Sequence, residues 1–99
     1  MLHHIVSWQL NGTTEQERAT QAQQFVTELT SLKGKISELL HLEVHTNELD
    51  IPGNWDVILI TKFADRAALE AYAIHPEHQA VVAKIKPLAA ARSAVDFTA

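Results

Sequence analysis

The stretch Trp55-Asp56-Val57-Ile58-Leu59-Ile60-Thr61-Lys62-Phe63 decides how this chain folds. Val57 to Ile60 is apolar without a break. Side chains alternate between the two faces of an extended segment, so Val57 and Leu59 share one face while Ile58 and Ile60 share the other. A strand keeps that pattern only where both of its faces are covered. Trp55 to Phe63 is therefore expected as an inner strand with cover on each side.

Upstream of it, Asn47 to Asn54 holds Pro52-Gly53 and reads as a loop, with Trp55 packed beside it at the strand start. Before the loop, Ser37 to Thr46 alternates. Leu40, Leu42 and Val44 point one way, and His41, Glu43 and His45 point the other. Earlier still, Ala19, Ala22, Val26, Leu29 and Leu32 recur every three or four residues and predict a helix of about five turns. Thr13 or Thr14 can cap it, with Gln16 or Glu17 three residues on, and Gly34 is placed to end it. Met1 to Leu10, carrying Ile5, Val6 and Trp8, reads as a first strand broken by Asn11-Gly12.

Downstream, Asp65 is positioned to cap a short helix bearing Ala68, Leu69 and Tyr72. His75 precedes Pro76 and is pushed out of the α region, which ends that helix. Proline suits a first helical position, so Pro76 opens another helix with His78, Val81, Val82, Ile85 and Leu88. Ser93 to Thr98 closes the chain as a strand. The order is βαββααβ within one domain spanning residues 1–99, a length that supports one core and not two. This is an α+β pattern of the ferredoxin-like kind, a four-stranded antiparallel sheet with helices on one face. Such helices leave Ile58 and Ile60 uncovered, together with Ile5, which lies opposite Val6. A second copy of the sheet is the economical cover, which implies a homodimer joined through its sheet faces. The alternative is a monomer with a partly exposed sheet.

Composition removes several classes of function. Hydrophobic residues make up 46% of the chain and charged ones 20%, a globular balance. The net charge is −4, and the nearest approach to a basic cluster, Lys33-Gly34-Lys35, is too small to track a phosphate backbone, so no nucleic-acid partner is expected. No apolar run approaches the roughly 20 residues of a membrane span. Met1-Leu2-His3-His4-Ile5-Val6 has neither a basic region nor a cleavage site, so a cytoplasmic location is the expectation. With no cysteine, disulfides, thiolate nucleophiles and thiolate-bound zinc are excluded. No cofactor is expected.

The periodicities also bring chemistry together. His4 is in phase with Val6 and Trp8 on the first strand. Tyr72 follows Ala68 and Leu69 by four and three residues, and His78 precedes Val82 and Ile85 by four and seven. If these faces meet, His4, Tyr72 and His78 converge in an apolar space lined by Val6, Trp8, Val26, Leu29, Val57, Leu59 and Val81. The competing reading gives each polar group a structural task. His78 then bonds backbone at the His75-Pro76 turn, Tyr72 is a core aromatic with its hydroxyl at the surface, and His4 is a satisfied core histidine. His75 itself reads as structural. His41, Glu43 and His45, spaced i, i+2, i+4, have a conceivable metal-ligand arrangement, but are read as a polar strip with no metal assigned. His3 belongs to that same opposite face.

Four segments, His4-Ile5-Val6, Phe63 with Ala68-Leu69-Glu70-Ala71-Tyr72, His75-Pro76-Glu77-His78 and Val95-Asp96-Phe97, together resemble the stress-responsive A/B-barrel (Dabb) family. The resemblance covers essentially the whole chain, and its most specific piece is the run from Tyr72 to His78. It implies a dimeric α+β barrel in which two sheets face each other with the helices outside. Plant polyketide cyclases that resemble this family close a poly-β-ketone by aldol condensation. That resemblance implies catalytic roles for His78 and Tyr72, a pocket role for His4, and an apolar or polyketide-like ligand. Imidazole is suited to take a proton from carbon between two carbonyls, and a phenol to hydrogen-bond the oxygen where charge builds. A further pocket histidine of those cyclases falls at Val57 here, a departure that puts substrate and reaction in question. Antibiotic-biosynthesis monooxygenases share the barrel by fold analogy alone. The reading from another class is a non-catalytic, stress-related dimer whose histidines only support the fold.

Overall fold

The computed structural model describes residues 1–99 as β1 (Leu2–Leu10), α1 (Glu15–Thr30), β2 (His41–Thr46), β3 (Val57–Phe63), α2 (Arg66–Ile74), α3 (Pro76–Ile85), a 3₁₀ turn (Lys86–Leu88) and β4 (Ala89–Thr98). The four strands form one antiparallel sheet in the order β2-β3-β1-β4. This is the expected ferredoxin-like βαββααβ order. The alternation of β3 sorts its side chains sharply. Val57, Leu59, Thr61 and Phe63 are buried against the helices, while Ile58, Ile60 and Lys62 are only half-buried on the opposite face.

Local chemistry fixes the helix ends. The Thr14 hydroxyl accepts the Glu17 N–H, while the Glu17 carboxylate accepts from the backbone and hydroxyl of Thr13. Those hydrogen bonds from Thr13 hold the Glu17 carboxyl below its ordinary range. Asp65 caps α2 by accepting from Ala68 N–H, and His75 caps α3, its Nδ1 accepting from Glu77 N–H with Pro76 in the first turn.

Several boundaries differ from the sequence reading. Helix α1 stops at Thr30, and Leu32 is fully buried in the turns that follow, where Gly34 takes a positive φ of 78°. The buried stripe of α1 is Phe25 and Leu29, with Val26 turned aside and half-buried. Phe25 and Val26 are adjacent apolar residues about 100° apart on the helix, and the larger ring takes the core. Ser37 to Leu40 is not strand. Ile36 anchors that segment in the core, and only Leu40 N–H, donating to the Lys62 carbonyl at 3.0 Å, continues the ladder backwards. Strand β3 begins at Val57, and Asp56 before it is still tied to the sheet, its N–H donating to the Trp8 carbonyl at 2.9 Å and its carboxylate accepting from Leu10 N–H at 2.8 Å. Strand β4 begins four residues before Ser93, at Ala89, pairing with β1 across a register shift at Gln9/Leu10. Pairing to β1 overrides the weak strand preference of Ala89-Ala90-Ala91.

The sheet's two faces are unlike. Against the helices, Val6, Trp8, Leu10, Phe25, Leu29, Leu42, Leu59 and Phe63 form part of one buried apolar cluster. On the far face, half-buried Ile5, Ile58 and Ile60 run into Val95 and Phe97, which are 61% and 44% exposed. Phe97 stacks on His3 there, with ring centroids 4.9 Å apart.

Candidate functional site

On the helix side of the sheet, toward β4, the packing opens into a cavity of about 520 Å³. Its cause is side-chain size. The β4 residues opposite Trp8, Val6 and His4 are Arg92, Ala94 and Asp96, with no bulky apolar group among them, and Ala89, Ala90 and Ala91 continue the wall. The apolar lining comes from Val6, Trp8, Leu29, Leu59, Val82 and Ile85, and a volume of this order takes a drug-sized ligand.

Five polar side chains line it: Lys86 of the 3₁₀ turn, Arg92 of β4, His4 of β1, Tyr72 of α2 and His78 of α3. The sharp turn at His75-Pro76 brings the last two together, with ring centroids 4.3 Å apart, and Phe63 backs Tyr72 at 5.0 Å. His4 is placed by its strand. Thr61, wholly buried on β3, donates its hydroxyl to the His4 carbonyl at 2.8 Å.

Each polar group has a definable state. His78 Nδ1 lies 2.9 Å from the Ala73 carbonyl. A carbonyl only accepts, so Nδ1 carries the hydrogen and Nε2 of the neutral ring holds the lone pair. Burial lowers the His78 pKa below the usual imidazole value, and the charges of His4, Arg92 and His75 push the same way, against the bond to Ala73. The ring therefore stays an unprotonated base near neutral pH. Tyr72 is 2% exposed, and its hydroxyl has no hydrogen-bond partner. Burial pushes its pKa up to about 12, so it remains a proton donor. Leaving such a group unsatisfied costs about 1–3 kcal/mol, and the fold tolerates that cost at the cavity wall. His4 Nδ1 is 2.5 Å from an Asp96 carboxylate oxygen, which orients the imidazole from the strand opposite.

The family model for the stress-responsive A/B barrel domain, Dabb, matches residues 2–99. This chain belongs to the Dabb family. Among solved structures, it is similar to a dimeric ferredoxin-like protein from Bacteroides fragilis at 28% identity, covering 99% of this chain and 95% of that one, with a TM-score of 0.86. A dimeric ferredoxin-like protein from Thermobifida fusca is 30% identical over 99% and 90% of the two chains, with a TM-score of 0.85. The hydroxynitrile lyase of Passiflora edulis shares the fold alone, at 14% identity over 97% and 90% of the chains and a TM-score of 0.79. No curated protein matches the chain by sequence.

Within this Dabb fold, the expected lining residues divide. Val6, Trp8, Leu29 and Leu59 line the cavity with His4, Tyr72 and His78. Val26, Val57 and Val81 do not, a correction with separate causes. Val26 faces the groove beside Val44 and His45, turned about 60° around the helix from Leu29. Val57 is 2% exposed in the core opposite Trp8 and contributes no wall to this cavity. Val81 is buried in the core, while its neighbour Val82, four residues from His78, reaches the cavity. His41 and His45 both turn their Nε2 onto Glu43, at 2.7 and 3.2 Å, and these contacts hold the Glu43 carboxyl below its ordinary range. No three His, Cys, Asp or Glu side chains are grouped to hold a metal ion. No helix is long and apolar enough to cross a membrane.

Sequence reading missed Asp96, Lys86 and Arg92. Asp96 became visible only through strand register. Arg92 precedes the strand expected from Ser93, and the cue available was alternation: Arg92, Ala94 and Asp96 share one face, while Lys86 lies at the end of the expected helix, in the 3₁₀ turn Lys86–Leu88.

Proposed function

We propose that this Dabb protein acts as a homodimer with a small-molecule site in each subunit, built on His4, Tyr72 and His78, and that the site performs enolate chemistry of the polyketide-cyclase type. The observation that carries the reading is the pairing of a buried, unpartnered phenol with a neutral imidazole whose Nδ1 is already committed to backbone. In the proposed reaction, His78 Nε2 removes a proton from carbon flanked by carbonyls. The C–H electron pair becomes the enolate, whose oxygen accepts a hydrogen bond from Tyr72. The enolate carbon attacks a second carbonyl of the same chain, forming the C–C bond. The proton held by His78 returns to the resulting alkoxide. His4, held by Asp96, orients the ligand.

The dimer is supported by the apolar far face around Ile58, Ile60, Val95 and Phe97, and by relatives that are dimers. The non-catalytic reading draws on a specific observation too, since His75 and His78 both bond backbone at the α2–α3 junction. Hydrogen–deuterium exchange at the methylene of 1-phenylbutane-1,3-dione separates the two. Wild type is expected to accelerate it above buffer, His78→Ala to lose roughly 10²- to 10⁴-fold of that acceleration, and Tyr72→Phe about a hundredfold. Exchange no faster than in buffer for wild type would leave the histidines structural.

A further inference from the structure

One wall of the cavity is cationic and has no protein counter-ion. Arg92 and Lys86 both line it, and neither takes part in any ion pair of the fold or donates a side-chain hydrogen bond. The nearest carboxylate on the same strand face, Asp96, is occupied by His4. Arg92 sits opposite Trp8 across the β1–β4 pair, beside the apolar lining, and its charge is felt at both Tyr72 and His78. So the cavity has two polar poles separated by an apolar body. One pole is the Tyr72–His78 pair, with a hydroxyl that lacks an acceptor. The other is the solvent-exposed Arg92 guanidinium at the cavity mouth, which no carboxylate of the chain pairs.

We infer that the cavity takes an apolar keto acid, whose carbonyl oxygen meets Tyr72 and whose carboxylate pairs with Arg92. This rests on the small-molecule reading of the site and adds the ligand's class to it. The guanidinium fork matches a planar carboxylate with two parallel N–H donors, which an ammonium does not, so Arg92 specifies the anion while Lys86 adds charge at the rim. The apolar lining excludes a small hydrophilic acid, because it would leave the Trp8 and Leu59 surface unfilled.

The test compares 4-oxo-4-phenylbutanoate with its neutral analogue 4-oxo-4-phenylbutanamide, both titrated into the intact protein by calorimetry with tryptophan fluorescence in parallel. The acid is expected to bind at least about tenfold more tightly, the equivalent of one charge-assisted hydrogen bond. Arg92→Gln is expected to erase that preference while leaving amide affinity within about twofold, and Arg92→Lys to restore only part of it. Equal affinity of acid and amide for wild type would overturn the anion assignment and leave the small-molecule site standing. Binding of neither compound would overturn both. Equal weakening of acid and amide in Arg92→Gln, with its fold intact by circular dichroism, would show that Arg92 supports the wall and not the charge, which also overturns the assignment.

Discussion

Two ends of the same helix-covered sheet are built differently. Around Phe25, Leu32, Ile36, Leu42 and Phe63 the space between helices and strands is filled, with exposures of 6% or less. Around His4, Tyr72, His78 and Arg92 it is hollow and polar groups line it. The filled end carries the fold's stability, since buried aromatic and aliphatic groups are its dominant favourable term. The hollow end gives up dispersion contacts and leaves a phenol unsatisfied. A chain selected for stability alone would replace the β4 alanines with larger apolar groups. The retained alanines fit the small-molecule site proposed above.

The sheet's far face supplies the second contrast, and neighbouring residues of β3 test it. Leu59 points at the helices with 3% exposure, while Ile60 is half-buried on the open face. Leu59→Lys is expected to abolish the cooperative unfolding transition, because an unpaired charge would lie in the core. Ile60→Lys is expected to leave the monomer folded by circular dichroism while raising the dimer dissociation constant about a hundredfold or more, as read by analytical ultracentrifugation. Equal loss of fold in both variants would erase the distinction between the faces. A wild-type protein that sediments as a stable monomer at micromolar concentration would remove the dimer.

A smaller effect, of opposite sign, sharpens the contrast between filled and hollow ends. Tyr72→Phe removes the unpartnered hydroxyl while keeping the ring against Phe63 and His78. Thermal or urea unfolding is expected to show a gain of up to about 1 kcal/mol, the reverse of the usual result for a buried tyrosine. The folded-state pKa of Tyr72 is raised, so its contribution is present in full below the unfolded value of 10.0 and lost as pH rises through about 12. The gain from Tyr72→Phe should therefore grow in that alkaline window.

Much of this was legible in the chain. The unbroken Val57–Ile60 run announced a strand with two apolar faces, and His75-Pro76 announced the junction that brings Tyr72 to His78. The phase of His4 with Val6 and Trp8 followed from period two. Less was readable where neighbouring residues had similar chemistry. Val26 and Phe25 compete for one helix face, and Val81 and Val82 for another, so periodicity alone did not say which valine would meet the cavity. The β4 wall was hidden for a different reason. Ala89 to Arg92 has no strand pattern of its own, and only pairing with β1 makes it extended. The counter-ion logic of Arg92 and Asp96 therefore emerged from register and not from motif.

The claim that matters most is that His78 presents a neutral Nε2 base to the cavity, and nitrogen-15 NMR of its ring through a pH titration tests it directly. The folded pKa lies below the ordinary imidazole value of 6.5, mainly because burial disfavours the cation. The unfolded chain therefore binds more protons as pH falls below about 6.5, and His78 costs the fold stability on that acid side only. The expected spectrum at neutral pH is that of a neutral ring protonated at Nδ1, with a midpoint below 6.5 that moves upward in Arg92→Gln as a repelling charge is removed. A ring protonated at Nε2, or one titrating at or above 6.5, would contradict the account.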